Sequence, residues 1–178
     1  NIEKFKKNKN STLITFGGAY SNHLLAVSYI AKIENINTMA FVRGDELGVL
    51  PFNSTLQRCF DNGMEFKFIS REKYRFRNDS NFLKNLSSNY NNAFIIPEGG
   101  TNDLGILGCE EILTLRDKNF FDVICVPVGS GGTFSGLINS SLKKQKILGF
   151  SALKNSNIIN VINKFVNKNN WKLIDEDL

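Results

Sequence analysis

The stretch Asp122-Val123-Ile124-Cys125-Val126-Pro127-Val128-Gly129-Ser130-Gly131-Gly132-Thr133 sets a continuous apolar run directly against a turn of glycines and hydroxyls. A run that is apolar at both alternating positions suits a parallel strand buried on both faces. The turn leads into a helix expected over Thr133–Lys143. The same strand-then-helix unit recurs in both directions. Strands are expected at Thr12–Phe16, Thr38–Val42, Glu65–Ile69, Ala93–Pro97, Phe121–Val128 and Lys146–Ala152, and Trp171–Ile174 begins another. Helices are expected at Asn22–Ile33, from the Ser54–Gln57 capping box towards Asn62-Gly63, at Asn102–Asp117 and at Ser156–Asn167. Between Arg71 and Asn92 the chain is polar, and a turn followed by a surface helix near Phe82–Leu86 is expected there. Repeated strand–helix–strand units predict an α/β fold with mainly parallel sheets and right-handed crossovers.

Composition sets the bounds. A chain of 178 residues buries roughly 70% of its unfolded surface and needs no disulfide scaffold. No apolar run approaches the roughly 20 residues of a membrane-spanning helix, and no signal segment follows the first lysines, so no membrane partner is expected. There is no initiating Met, which reads as a chain that starts inside a longer protein. The net charge is +5 and the pI about 9.1, but the lysines are dispersed apart from stretches 4–9 and 143–146. That pattern reads as solvated surface, so no nucleic-acid partner is expected. Cys59, Cys109 and Cys125 are odd in number and lie in apolar contexts; they read as reduced, mostly buried thiols of a cytoplasmic protein. The single histidine, His23, argues against a His-rich zinc site, and no metal is expected.

Three glycine turns lie where strands end and helices begin. Open α/β sheets bind ligands at the carboxyl ends of their strands, and helix N-termini there hold anions. In Gly17-Gly18-Ala19-Tyr20-Ser21-Asn22-His23, three polar residues precede an apolar helix. They exceed what capping needs, so Ser21, Asn22 and His23 are candidate ligand donors. In Glu98-Gly99-Gly100-Thr101-Asn102, Thr101 reads as a cap and Glu98 as a possible pocket carboxylate; capping alone explains this turn nearly as well. The third turn, Gly129-Ser130-Gly131-Gly132-Thr133, suits a cradle of amides for a phosphate. The Walker pattern is absent. The dinucleotide fingerprint fails because Phe134 stands at its last glycine and no acid follows the next strand over Lys146–Asn155. A small phosphorylated cofactor fits better. With the first turn as a carboxylate site, the pair suggests pyridoxal 5'-phosphate carrying an amino acid. A non-catalytic module holding a phosphorylated or carboxylated metabolite through the same turns, and a nucleotide-binding oxidoreductase domain, are the competing readings.

The segments Leu13–His23, Phe41–Gly44, Asn53–Leu56, Ile96–Asn102, Val128–Thr133 and Leu148–Leu153 occur in order over nearly the whole chain. Together they resemble the fold-type-II pyridoxal-phosphate enzymes, specifically the 1-aminocyclopropane-1-carboxylate deaminase and D-cysteine desulfhydrase family. The resemblance implies three-layer, open, twisted, mainly parallel sheets with flanking helices, tryptophan-synthase-β-like and incomplete at both ends. It implies a small α/β domain over 11–97 and part of a large cofactor-binding domain over 98–178. The implied activity is that of a deaminase or lyase, classed among hydrolases in some schemes. It converts 1-aminocyclopropane-1-carboxylate or D-cysteine to ammonia and a 2-oxo acid, in a cytoplasmic homodimer. Asn22 is implied to bond the cofactor's phenolic oxygen. Ser21 and His23 are implied to hold the substrate carboxylate, and Gly129, Ser130, Gly131, Gly132 and Thr133 the phosphate. Glu98, Gly99, Gly100 and Thr101 are implied to lie near the cofactor ring. The family's Schiff-base lysine follows a Gly-Asn pair just upstream of Asn1. Neither that motif nor the family's C-terminal part occurs here, so the chain by itself is expected to be inactive. Asn53-Ser54 stands where the family often has Asn-Pro.

Overall fold

The computed structural model describes residues 1–7, 12–91, 93–152 and 157–175. Lys9, residue 11, Asn92, the strand exit Leu153-Lys154-Asn155 and the expected helix start at Ser156 lie outside the described residues. The elements are α1 (Ile2–Lys7), β1 (Leu13–Gly17), α2 (Asn22–Glu34), β2 (Thr38–Arg43), α3 (Ser54–Asp61), β3 (Met64–Ile69), α4 (Arg71–Tyr74), α5 (Ser80–Asn89), β4 (Phe94–Ile95), α6 (Asp103–Cys109), α7 (Leu115–Phe120), β5 (Val123–Val128), α8 (Gly132–Ser140), β6 (Lys146–Ser151), α9 (Ile158–Asn163) and β7 (Trp171–Ile174). Short 3-10 turns occupy Asp45–Val49, Arg75–Asn78 and Glu98–Gly100. The chain divides into two compact units, residues 1–100 and 101–178.

The first unit holds a parallel sheet in the order β3-β2-β1-β4. Period-two alternation sends its side chains into two cores. Leu13, Ala40 and Val42 meet Phe5, Leu24, Val27, Leu56 and Cys59 from α1, α2 and α3 on one face. Ile14, Phe16, Met39 and Phe41 meet Tyr74 and Leu86 from α4 and α5 on the other. The two central strands are therefore buried on both sides, and each fully buried Leu, Ile or Phe contributes about 1.5–3 kcal/mol. Ser21 caps α2, its Oγ accepting from the Leu24 amide at 3.3 Å. Asn35, at φ 53°, ends that helix by returning its N–H to Ala31 and Lys32. The cap of α3 differs from the expected Ser54 box. Asn53, in extended backbone, accepts from the Leu56 amide at 2.9 Å, and Ser54 is already helical. The polar stretch also forms more helix than expected, because the Asp79 carboxylate accepts from both the Asn81 and Phe82 amides and starts α5 early.

The second unit holds a parallel sheet in the order β5-β6-β7, with α8 and α9 on one face. Val128, Phe134, Ile138, Ile147 and Ile162 form its core. Two expectations fail here. The run 122–128 is not buried on both faces: Ile124, Val126 and Val128 turn towards the core, whereas Val123, Cys125 and Pro127 are exposed. Among the described residues β5 pairs with β6 alone, and Pro127, lacking an N–H, is tolerated at such an edge. Cys125 is accordingly an exposed thiol, Cys109 is half-buried and only Cys59 is buried. The expected helix over Asn102–Asp117 is two helices. Asn102 caps α6, with its Oδ1 accepting from Gly105 at 2.8 Å. Thr114 and Asp117 then form a reciprocal capping box that starts α7. Among the described residues no helix is long and apolar enough to cross a membrane, and no group of three or more His, Cys, Asp or Glu is placed to hold a metal ion.

Candidate functional site

The first turn leaves the C-terminal end of β1. The Ser21 amide donates to Gly18 O at 3.1 Å, closing the turn, and Asn53 Nδ2 donates to Ala19 O at 3.0 Å, bracing it from the start of α3. The Ser21 oxygen accepts as the cap, and a hydroxyl that accepts there can still donate. The opening amides of α2, those of Asn22 and His23, have no carbonyl four residues back within the helix. The Asn22 side chain is exposed and lines a groove of about 550 Å³ with Leu25, Tyr29, Arg58 and Asn62. The His23 ring turns inward, with Nε2 2.7 Å from Thr15 Oγ1. Burial lowers its pKa from 6.5 to about 4, against the opposing pull of Glu98.

The second turn bends sharply through Gly99 (φ 69°) and Gly100 (φ 67°), both in left-handed backbone. Glu98 is firmly held. Tyr74 Oη donates to its Oε1 at 2.7 Å, and Arg77 Nε donates to its Oε2 at 2.5 Å. The Arg77 guanidinium also lies 4.9 Å from the Tyr74 ring centroid, and that of Arg43 lies 5.9 Å from it. Burial, reinforced by Glu98, pushes the Tyr74 phenol well above its usual range, so it remains a donor at any ordinary pH. Arg43 leaves the end of β2 with its guanidinium 3.8 Å from where a Gly18 Cβ would stand. The first and second turns thus meet around His23, whose ring would lie 3.4 Å from a Cβ on Gly100.

The third turn joins β5 to α8. Gly131 is the cap residue of α8, at φ 89°, and no side chain caps the helix. The first amides of α8 therefore have no side-chain acceptor at the cap, beside a partial positive charge. Hydroxyls surround them. Thr101 Oγ1 lies 2.7 Å from Ser130 Oγ, and Thr133 is exposed. A Cβ on Gly132 would stand 2.9 Å from Thr101 Oγ1, so a side chain there would force the Thr101 hydroxyl to shift. Thr101, Ser130, Gly132 and Thr133 form one cluster within the second unit. At the opposite end of α8, Lys168 Nζ donates to the carbonyls of Asn139 and Ser141. Burial lowers the Lys168 pKa.

Sequence reading missed Thr15, Arg43, Asn53, Tyr74 and Arg77. Thr15 carried the one available signal, a lone hydroxyl inside the apolar strand Leu13-Ile14-Thr15-Phe16. The others act through partners distant in sequence.

No family model matches the chain. The structure is similar to that of a homologue of 1-aminocyclopropane-1-carboxylate deaminase, with a TM-score of 0.76 and 20% identity, over 98% of this chain and 58% of that one. The parallel sheets and strand-to-helix turns have the fold of the fold-type-II pyridoxal-phosphate enzymes. The chain is 35% identical over 134 residues to a Thermotoga maritima protein provisionally named 1-aminocyclopropane-1-carboxylate deaminase, covering 71% of this chain and 42% of the relative. It is 33% identical over 160 residues to the bifunctional D-cysteine desulfhydrase/1-aminocyclopropane-1-carboxylate deaminase, mitochondrial, of Arabidopsis thaliana, covering 79% and 39%. The chain is a relative of the 1-aminocyclopropane-1-carboxylate deaminase and D-cysteine desulfhydrase family, and it spans about two fifths of the length of these curated relatives.

Proposed function

We propose that this chain carries the phosphate site and the substrate-carboxylate site of a pyridoxal-phosphate-dependent deaminase or desulfhydrase. Its substrate is a small amino acid, 1-aminocyclopropane-1-carboxylate or D-cysteine, and its products are ammonia and a 2-oxo acid. The observation that carries the reading is the third turn: an uncapped helix start opened by Gly131, lined by Ser130, Thr133 and Thr101, with Gly132 packed closely against the Thr101 hydroxyl. Such a turn fits a phosphate dianion. The cofactor, when bound, supplies an electron sink for the substrate's α-carbon.

The chain's own residues bind and orient. The amides of Gly131, Gly132 and Thr133, with the Ser130 and Thr133 hydroxyls, hold the phosphate, and Gly129 leaves space beside it. Asn22 donates to the phenolic oxygen of the cofactor. The Ser21 hydroxyl and the opening amides of α2 hold the substrate carboxylate, next to His23. Glu98, Gly99, Gly100 and Thr101 shape the approach to the ring. On this reading the first unit is the small domain and the second is part of the cofactor-binding domain. The lysine that binds the cofactor covalently is not among these residues. Lys168, the lysine whose pKa burial lowers, is tied to the far end of α8 from the phosphate turn. The three free thiols agree with a reducing, cytoplasmic setting, and we take the whole protein to be a homodimer.

The test has two arms. The chain is titrated with pyridoxal phosphate and with pyridoxal, using inorganic phosphate as competitor. Binding that needs the phosphate group and yields to the competitor is expected; equal binding of both would sink the assignment. The full-length protein is then assayed with both amino acids for 2-oxobutanoate, pyruvate and sulfide. A protein that retains the cofactor and releases none of these products is not this enzyme.

Asn22→Ala is expected to leave the melting temperature unchanged, because the side chain is exposed at the start of α2. Loss of its hydrogen bond to a phenolate should weaken cofactor binding by about 1.5–3 kcal/mol, roughly ten- to a hundredfold. Unchanged affinity and an unchanged cofactor absorption spectrum would remove Asn22 from the site.

A further inference from the structure

Thr15 stands in the middle of β1 and is fully buried. Its Oγ1 lies 3.0 Å from Ile96 O and 2.7 Å from His23 Nε2. A carbonyl only accepts, so the single hydroxyl proton goes to Ile96. The proton in the shorter contact must then come from the imidazole, which places an N–H at Nε2. A neutral ring has only one N–H, so Nδ1 carries a lone pair. Gly100 lies on that side, with its Cβ position 3.5 Å from Nδ1. The Gly100 amide does not serve Nδ1, because it donates to Pro97 O at 2.9 Å.

We propose that Thr15 is a positioning residue that locks His23 as the neutral Nε2–H tautomer, so that the imidazole presents an acceptor nitrogen at the first turn and not a positive charge. The inference rests on the proposed function and deepens it. Carboxylate recognition falls to the Ser21 hydroxyl and the opening amides of α2. His23 instead accepts from an N–H or O–H of the ligand, a group that an amino-acid substrate carries beside its carboxylate. The energetics agree. Burial disfavours the imidazolium and outweighs the opposing pull of the charged group that faces the ring, Glu98 in the turn after β4, which Tyr74 and Arg77 hold.

His23 is the only histidine in the sequence, so the chain labelled with 15N-histidine reports a single ring. The NMR spectrum should show the neutral Nε2–H pattern at neutral pH, with protonation only near about 4. A ring already cationic at neutral pH, or an Nδ1–H tautomer, would overturn the proposal. Thr15→Val removes the acceptor at nearly constant volume and should produce a mixture of tautomers, whereas Thr15→Ser should restore the lock. A Thr15→Val spectrum identical to the wild type would show that burial alone sets the tautomer. Should Thr15→Val not fold, Thr15→Ala is read in the same way. The measurement needs no cofactor. A chain that fails to bind pyridoxal phosphate leaves the tautomer result standing, and an absent lock leaves the cofactor titration standing.

Discussion

Gly129→Asp is expected to abolish retention of pyridoxal phosphate while leaving the chain folded. The position is backbone-permissive, since nothing lies within 4 Å of where its Cβ would stand and its φ is ordinary. Folding should therefore change by no more than about 0.5 kcal/mol. The new carboxylate would share the turn with the phosphate. Two unit charges about 4 Å apart at an effective dielectric near 20 repel by about 4 kcal/mol, which is roughly a thousandfold in dissociation constant. Gly131→Ala provides the contrast. There the backbone is left-handed, and a Cβ would stand 3.2 Å from Ile162 and 3.3 Å from Ile158. That substitution should cost about 1–3 kcal/mol of stability through strain and overpacking, so any loss of cofactor would follow the loss of fold. Denaturant unfolding paired with cofactor titration separates the two. Wild-type affinity in folded Gly129→Asp would mean that the anion does not sit in this turn.

The contrast also marks what the sequence makes legible. The alternation of short apolar runs with helical patterns locates the seven strands found among the described residues, because burial on a parallel sheet imposes that pattern directly. The Gly-Ser-Gly-Gly-Thr turn stands out for a similar local reason: glycines occur where backbone must enter left-handed space or approach closely, and both apply at Gly131 and Gly132. The one-sided exposure of β5 was not legible. Val123, Cys125 and Pro127 are as apolar as the residues beside them, and composition alone cannot say whether a face is covered. The break between α6 and α7 was written in the sequence as Thr114-Leu115-Arg116-Asp117, but Leu113 and Leu115 around it continue an apolar pattern that masks the cap. The residues around the three turns differ in how far along the chain their partners lie. Ser21 and Gly131 act through their immediate neighbours. Glu98 acts through Tyr74 and Arg77, more than twenty residues earlier in the chain, and Thr15, in contact with His23, reaches Ile96 across 81 positions. Only the folded sheet brings such partners together.

The chain should lose stability on acidification in a window that His23 sets. In the unfolded chain the imidazole has its ordinary pKa of 6.5; in the fold, burial lowers it to about 4. Between those values the unfolded state binds the proton and the folded state does not, so stability falls as pH falls. The contribution is fully present above about 6.5, declines through the window and is gone below about 4. Its full size is on the order of 3 kcal/mol, a large share of the stability of a small domain. The carboxylates of Asp117 and Glu46, whose pKa values hydrogen bonds hold below the usual range, also act in the same direction, so the acid slope of the wild type alone is not diagnostic. His23→Gln isolates the histidine. The amide can donate to Thr15 and carries no titrating proton, whatever its effect on stability at neutral pH. Denaturant unfolding of both proteins at about pH 7 and about pH 4 should show that the wild type loses on the order of 3 kcal/mol more than the variant over this range. Equal losses would mean that the His23 ring is free to protonate in the folded chain, and the buried contact with Thr15 would then be wrong.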